Sequence, residues 1–505
     1  MVKHSALLAL LLFTPFLAAT EVVTQIEKNT QGQWWVRYST ATPVQRLVFQ
    51  RNPDDSRAKQ WIAQSELYKI QVLDGVETVL RTDGQSFSEV SFRLPARYTP
   101  LPKEYAAFSP FSDGGMLLHS GRFFACAEHC GPDLNSWTLT LKAAAGEKII
   151  VAGKLYQDEV TWQEQDSGSK VYLGKTQPLA GPDFISMIDP ALPLALQQQI
   201  SSQLPLLMAW FTKQMGALDV RPALFASCSS TEDGSYGHQG GTLPGQIFMH
   251  WYGRTAIEKL QPDAVFWFFA HEVAHLYQRQ AGAIEPPQDA WIHEGAAEYL
   301  AGVASAEVQQ NRQILQDKLT VAAKDCVAGL EKEHNYAKAA AANSQLHYSC
   351  GLLLNHAINV QLQQAAQPIS LFRLWSLFNT AVQAGQSPQA SVFLDVLQPY
   401  VTKDFWLQLS AFSSQDNFDT HAFMLQLQAE ILDRAGDLAD LGPGDVGGEI
   451  GPEGRPRDAR CNALPLRAIL AGERDRSRLA IGDFVRKGRS RQDRERPAGR
   501  SSARS

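Results

Sequence analysis

The residue types most suited to chemistry lie in one short stretch, H-E-V-A-H, from His271 to His275. Two imidazoles four residues apart share one face of a helix, so both can point at the same metal ion. Glu272 is then close enough to take a proton from a metal-bound water. A catalytic zinc ion is held by three protein ligands and keeps a fourth position open. The stretch therefore predicts a hydrolytic zinc site that needs one more ligand.

The alternative is that both histidines are ordinary core residues beside an unremarkable glutamate. The apolar run from Phe266 to Phe269 predicts that this helix is deeply buried. Two unpaired histidines would be costly there, because a buried polar group needs a partner. Burial therefore favours the metal site.

Glu294 is the predicted third ligand. Eighteen residues separate His275 from Glu294, which stands in W-I-H-E-G-A-A-E-Y. A connection of that length lets the chain turn and place an antiparallel helix beside the first. Two histidines and one glutamate are typical of a catalytic zinc ion rather than of a closed structural site. Glu298, one turn further, either orients a ligand histidine or is an ordinary solvated carboxylate.

These three features together resemble the gluzincin zinc metallopeptidases of the aminopeptidase N type. The resemblance covers about residues 240–355. It implies one zinc ion per chain, with His271, His275 and Glu294 as ligands and Glu272 as general base. The segment H-Y-S-C-G, ending at Gly351, resembles the family's Y-x-K-G, so Tyr348 is implied to stabilise the developing oxyanion. An ordinary packing role is the alternative for this tyrosine.

The glycine-rich stretch before the helix departs from the family pattern. Family aminopeptidases carry G-x-M-E-N there, and its glutamate holds the free amine of the substrate. This chain has G-G-T-L-P-G from Gly240 to Gly245, without an acidic residue. Gly240 and Gly241 are candidates for letting an extended peptide approach an edge strand, or they form a plain loop. Whether cleavage is amino-terminal or internal stays open.

The elements that position the site change character along the chain. Short runs of branched and aromatic residues, with a hairpin turn at Asp74–Gly75, predict an antiparallel β domain first. From about residue 186 the apolar period approaches 3.6, which predicts helices. The predicted class is α+β: an N-terminal antiparallel β domain, a thermolysin-like mainly α zinc-peptidase domain and C-terminal helices. The predicted limits are a signal peptide (1–20), a β-rich domain (21–175), a catalytic domain (176–365), a helical region (366–433) and a disordered Arg-rich tail (434–505).

The N-terminus predicts export to the periplasm or beyond the cell. A short polar start precedes an apolar run, Ala6 to Leu17, and small residues follow as a cleavage site. A retained membrane anchor is the alternative, but the run is too short to span a bilayer. No later stretch of the 505-residue sequence is long and apolar enough to insert stably.

Charge is unevenly distributed. Residues 451–505 contain 15 Lys or Arg and 7 Asp or Glu, whereas the rest of the chain contains 31 and 45. The acidic body gives no reason to expect a nucleic-acid partner. Besides disorder, the basic tail admits two explanations: binding to an anionic surface, or translation out of frame.

Cysteine spacing predicts disulfides, which export permits. Cys126 and Cys130 are close enough to bridge, and Cys326 and Cys350 can join two neighbouring helices. The alternative for Cys126, His129 and Cys130 is a metal knuckle, although no second ligand pair follows at a fixed spacing.

The sequence thus predicts an exported zinc peptidase that acts on a peptide or protein substrate. Two other functions stay open. One is an inactive peptide-binding protein with the same fold, and the other is a zinc hydrolase of a non-peptide amide or ester. The oligomeric state is not predicted.

Overall fold

The computed structural model describes residues 21–101, 104–132, 134–181, 184–278 and 287–437. The predicted signal peptide, residues 1–20, lies outside them. So does the predicted tail from residue 438 onward. The chain divides into two compact units. Of the described residues, the first comprises those within 21–193, 220–231 and 239–257, and the second those within 194–219, 232–238 and 258–437. The five-segment division made from the sequence stays a prediction.

The first unit is built mainly from strands. In chain order they are β1 (Val22–Lys28), β2 (Trp34–Val44), β3 (Arg46–Phe49), β4 (Ile62–Ala63), β5 (Tyr68–Leu73), β6 (Val76–Arg81), β7 (Phe87–Leu94), β8 (Phe108–Pro110), β9 (Met116–His119), β10 (Ala125–Ala127), β11 (Ser136–Lys142), β12 (Lys148–Val151), β13 (Lys154–Gln157), β14 (Glu159–Gln165), β15 (Lys170–Gly174), β16 (Leu179–Ala180), β17 (Ile185–Ile188), β18 (Ala223–Ser229), β19 (Gly237–Leu243) and β20 (Gln246–Tyr252). Helix α1 (Ser56–Gln60) and a 3₁₀ turn (Ser120–Phe123) interrupt them.

Within the described residues these strands form four sheets. Their orders are β14-β11-β1-β2-β7-β4, β10-β3-β6-β5, β13-β12-β15-β9-β8 and β16-β17-β18-β20-β19. The predicted hairpin at Asp74–Gly75 joins β5 to β6, with Leu73 opposite Val76. Both turn residues have positive φ, 51° and 79°, as the tight turn that matches strand twist requires.

Most strand pairs of the N-terminal sheets are antiparallel, as predicted, but β1 pairs with β11 in parallel. Val23 lies opposite Thr138 and Glu27 opposite Lys142. The chain between these strands is long, so nothing forces the antiparallel return that a hairpin requires. Alternation of apolar residues predicts that a strand exists, but not which strand it pairs with.

The second unit is helical. Its helices are α2 (Leu194–Met215), α4 (Pro262–Gln278), α5 (His293–Val308), α6 (Gln313–Leu330), α7 (Tyr336–Ala342), α8 (Gln345–Gln364), α9 (Leu371–Gln383), α10 (Ala390–Leu397), α11 (Lys403–Phe412) and α12 (Thr420–Asp437). Helix α3 (Arg254–Glu258) lies at the boundary of the units, and 3₁₀ turns span Pro287–Trp291 and Gln398–Tyr400. The last helix therefore continues to Asp437, past the predicted start of the tail at residue 434. Among the residues described, no helix is long and apolar enough to cross a membrane.

Candidate active site

Helix α4 carries the first two candidate ligands. Pro262 opens the helix, where its missing N–H costs nothing, and Asp263 follows in the positively polarised first turn. Beyond this turn the helix is almost wholly buried. His271 and His275 lie one turn apart on it, with their Nε2 atoms 3.0 Å from each other. The sequence pattern thus produces the predicted pair of imidazoles on one face.

Helix α5 brings Glu294 to the same point. Its Oε2 lies 3.2 Å from Nε2 of His271 and 3.2 Å from Nε2 of His275. The three donor atoms therefore form a nearly equilateral triangle. Ligands of a tetrahedral zinc ion, with bonds of about 2.0–2.1 Å, are separated by about 3.3 Å. The donor types and their spacing fit a zinc ion with three protein ligands.

The second ring nitrogen of each histidine has a close polar neighbour. Nδ1 of His271 lies 3.0 Å from Oε1 of Glu298. The other oxygen of Glu298 accepts a hydrogen bond from the indole of Trp267, 3.0 Å away. These contacts orient the His271 ring and leave its Nε2 toward Glu294. This is the arrangement that metal-binding histidines commonly have, and it is the role predicted for Glu298 as the orienting residue.

The partner of His275 is Gln278, which the sequence analysis missed. Its Oε1 lies 2.7 Å from Nδ1 of His275, and its Nε2 donates to the carbonyl oxygen of His293 at 3.0 Å. Gln278 is fully buried. Its position one turn after a predicted ligand was a usable signal, because residues three apart on a helix are neighbours.

Burial and neighbouring groups act in opposite directions on the pKa values of His271 and Glu294. Burial alone lowers the pKa of His271, but its contacts with Glu294 and Glu298 raise that pKa well above the usual value. Burial also raises the pKa of Glu294, but the charge of His275 and the contacts with His271 hold it well below its usual range. Without a metal ion, the carboxylate of Glu294 is therefore ionised and the ring of His271 protonated, so binding of a metal ion would release the proton of His271.

Glu272 and Tyr348, the predicted general base and oxyanion donor, both lie near His271. Glu272 is buried on α4, and its charge acts on both His271 and Tyr348. Tyr348 lies on α8, with its ring centroid 5.7 Å from that of His271. Burial and the negative charges of Glu294 and Glu272 raise the pKa of Tyr348 well above its usual value. Its phenol therefore stays protonated.

Two glycines set how closely α5 and α8 approach. A methyl group on Gly351 would lie 2.7 Å from Cα of Gly295 and 2.8 Å from the carbonyl oxygen of Trp291. A methyl group on Gly295 would lie 2.3 Å from the backbone of Gly351. Only glycine fits at this crossing. Because Glu294 and Tyr348 flank these positions, the close approach fixes the distance between ligand and tyrosine.

Disulfides form between Cys126 and Cys130 and between Cys326 and Cys350, the two pairings that the sequence predicts. The second joins α6 to α8 two residues beyond Tyr348, and both of its cysteines are fully buried. Because the first pair is bonded internally, its sulfurs are not thiolate ligands, and the alternative metal knuckle with His129 is wrong.

Six predicted site residues thus meet in the second unit. They are His271, Glu272, His275, Glu294, Glu298 and Tyr348. Gly240 and Gly241 lie in the first unit, in β19, which is an edge strand of its sheet. That stretch is therefore a strand and not a plain loop, and its part in substrate binding stays a prediction.

Comparison with known proteins bears on the fold. No family model matches the sequence, and no curated protein matches it. The structure is similar to that of an aminopeptidase N family protein from Idiomarina loihiensis, with a TM-score of 0.55 and 11% sequence identity over 80% of this chain and 78% of that chain. An M1 zinc metallopeptidase from Deinococcus radiodurans gives a TM-score of 0.43 at 12% identity, over 79% of this chain and 93% of that chain. The first similarity shows a shared fold, N-terminal β sheets followed by helices.

Proposed function

We propose that this chain is an exported, zinc-dependent peptidase that hydrolyses peptide bonds. The observation that carries the proposal is the triangle of donor atoms from His271, His275 and Glu294, whose sides are 3.0, 3.2 and 3.2 Å. We assign to Glu272 and Tyr348 the two other roles that hydrolysis of an amide requires, a general base and an oxyanion donor. The fold shared with an aminopeptidase N family protein agrees with this function.

The zinc ion, when bound, supplies Lewis acidity: it makes water more acidic and draws charge from a carbonyl oxygen. His271, His275 and Glu294 would hold it. Glu298 and Gln278 keep the two imidazole rings in the orientation that exposes Nε2. The fit rests on donor type and spacing, since both match what zinc requires.

Glu272 is the proposed general base. Its carboxylate takes a proton from the attacking water and then delivers it to the nitrogen of the leaving amine. One carboxylate performs both transfers because the proton it gains in the first step is the one the amine needs. Such a group typically contributes about 10²–10⁴-fold to the rate.

Tyr348 is the proposed oxyanion donor. Its phenol is protonated, because burial and the carboxylates Glu294 and Glu272 raise its pKa. In the transition state the phenol donates to the carbonyl oxygen as negative charge builds there. Its ring already lies beside that of His271, with the two centroids 5.7 Å apart.

The proposed substrate is an extended peptide. Strand β19, with Gly240 and Gly241, lies at the edge of its sheet, and edge strands bind peptides by main-chain hydrogen bonds. The absence of an acidic residue between Gly240 and Gly245 leaves no carboxylate in that segment to hold a free amine. Internal cleavage is therefore compatible with this segment, as is trimming of the amino terminus by another amine-binding group.

The test is mass-spectrometric mapping of a peptide pool incubated with the purified protein. Glu272→Gln is the matched control, because it keeps the three ligands and removes the base. Cleavage by the wild type alone supports the proposal, and the cut positions separate amino-terminal trimming from internal cutting. Equal absence of cleavage, in protein shown to hold zinc, leaves the inactive binding protein or the non-peptide hydrolase.

Export has its own test. The proposal that the protein is exported rests on the apolar run Ala6–Leu17 and on the two disulfides. Amino-terminal sequencing of the mature protein, recovered outside the cytoplasm, should begin close to Glu21. A mature protein that retains residues 1–20 within the cytoplasm contradicts export.

A further inference from the structure

A second group of metal-ligand side chains lies in the helical unit, formed by His334, Asp419 and His421. We propose that these three residues bind a divalent transition-metal ion, with zinc as the best match. The proposed site uses none of the residues assigned to catalysis. Its failure or success is therefore independent of the proposed peptidase activity.

The three residues come from two chain segments that the backbone holds together. His334 lies in the connection between α6 and α7, and Asp419 and His421 flank the first residue of α12. Thr420 donates its backbone N–H to the carbonyl oxygen of His334 at 3.0 Å, and its hydroxyl donates to the same oxygen. Thr420 is fully buried. The position of the ligand backbones is thus fixed before any ion binds, so less entropy is lost on binding.

The side chains converge on one point. One potential ligand atom from each residue lies within 4.8 Å of the other two. Nδ1 of His334 is 3.4 Å from Oδ1 of Asp419. The rings of His334 and His421 stack with centroids 4.7 Å apart and an angle of 30° between their planes. Binding of a zinc ion would require the half-exposed His334 and Asp419 side chains to adjust until the ligand atoms lie about 3.3 Å apart.

Within the described part of the chain, one ring nitrogen of His421 lacks a hydrogen-bond partner. Its Nε2 is buried and has no hydrogen-bond partner among the described residues. A buried ring nitrogen without a partner is unfavourable unless something else satisfies it. A simple ion pair between His334 and Asp419 leaves that nitrogen unexplained, whereas a metal ion bound through Nε2 of His421 would satisfy it.

Two imidazoles and one carboxylate suit zinc better than calcium or magnesium, which prefer oxygen ligands alone. Asp419 supplies the carboxylate, and the N–H of Ala422 donates to its Oδ1 at 2.9 Å. The bound ion would join α12 to the connection before α7, residues that lie 85–87 positions apart in the sequence. Because it binds only the folded arrangement, it would stabilise the docking of α12.

The experiment measures zinc bound per chain in the full-length protein, with thermal unfolding followed in the same samples. The variants are His334→Ala/His421→Ala and Asp419→Asn. The asparagine retains the ability to cap α12 and loses the carboxylate ligand. The control is His129→Ala, which removes an exposed histidine of the first unit. Only zinc binding and the melting temperature are scored, so a catalytically inactive protein gives the same answer.

The wild type and His129→Ala should each bind two zinc ions per chain, and added zinc should raise their melting temperatures. The double variant should bind one, and Asp419→Asn should bind the second ion at least about tenfold more weakly. The proposal is overturned if the double variant binds as much zinc as His129→Ala. It is also overturned if added zinc raises the melting temperatures of the double variant and of His129→Ala equally.

Discussion

The close contact of α5 and α8 predicts that Gly351→Ala lowers both stability and activity. The new methyl group would lie 2.7 Å from Cα of Gly295 and 2.8 Å from the carbonyl oxygen of Trp291. Carbon atoms in contact prefer about 3.5–4.0 Å, so the two helices must separate by about 1 Å. Both clashes are with backbone atoms, which cannot turn aside as a side chain can.

The expected magnitude follows from two opposing effects. Overpacking costs about 1–3 kcal/mol, and a clash with backbone places this case near 3 kcal/mol. Alanine is favoured over glycine within a helix by about 1 kcal/mol. The net loss in the free energy of unfolding should be about 2 kcal/mol. Because Tyr348 moves with α8, a displacement of about 1 Å should lower kcat by about 100-fold.

The assay combines urea unfolding, zinc affinity and peptide cleavage. Zinc affinity should change little, since its ligands lie on α4 and α5. The matched control is Gly329→Ala in α6, whose methyl group would have three atoms of the Leu346 side chain as its nearest neighbours. That side chain can adopt another rotamer, so stability and cleavage should stay near those of the wild type. If Gly351→Ala behaves like Gly329→Ala, the close approach does not position Tyr348.

Further predictions concern single interactions. Gln278→Leu removes the group that orients a ligand histidine, so zinc affinity in a chelator competition should fall about 10–100-fold; unchanged affinity contradicts that role. Cys326→Ala/Cys350→Ala opens a bridge with a sequence separation of 24 and should lower unfolding free energy by about 3.5 kcal/mol, against about 2 kcal/mol for the bridge with a separation of 4. Urea unfolding that ranks the two bridges in the opposite order contradicts this. Burial lowers the pKa of Lys170 to about 7, whereas the unfolded value is about 10.4. At pH values between these two pKa values, Lys170 is protonated in the unfolded state but neutral in the folded state. The free energy of unfolding should therefore rise with pH, by up to about 1.4 kcal/mol per pH unit. Lys170→Met should flatten that rise in urea unfolding from pH 7 to 10, and an unchanged slope argues against it.

Features determined by neighbouring residues were predictable from the sequence. The apolar run from Phe266 to Phe269 predicted a buried helix, and α4 is almost wholly buried beyond its first turn. The turn residues predicted the hairpin at Asp74–Gly75. The spacing of the ligands predicted that His271, His275 and Glu294 meet, because helix geometry and a connection of adequate length leave few other arrangements.

Features that depend on distant residues were not predictable. The parallel pairing of β1 with β11 depends on the packing of whole sheets. The contact between Gln278 and His275 required the side-chain rotamers. His334 lies 85 positions from Asp419 in the sequence, so no local pattern links them. The glycine-rich stretch containing Gly240 forms a strand, although glycine is depleted in strands, because tertiary pairing overrides local preference.

The most direct test of the account measures bound zinc and cleavage rate together in metal-stripped protein titrated with zinc. The His334→Ala/His421→Ala background leaves the site of His271, His275 and Glu294 to be followed alone. We predict that the cleavage rate rises in proportion to zinc bound. Glu272→Gln should bind zinc equally but cleave about 10²–10⁴-fold more slowly. Cleavage by the zinc-free protein, or undiminished cleavage by Glu272→Gln, would contradict the account.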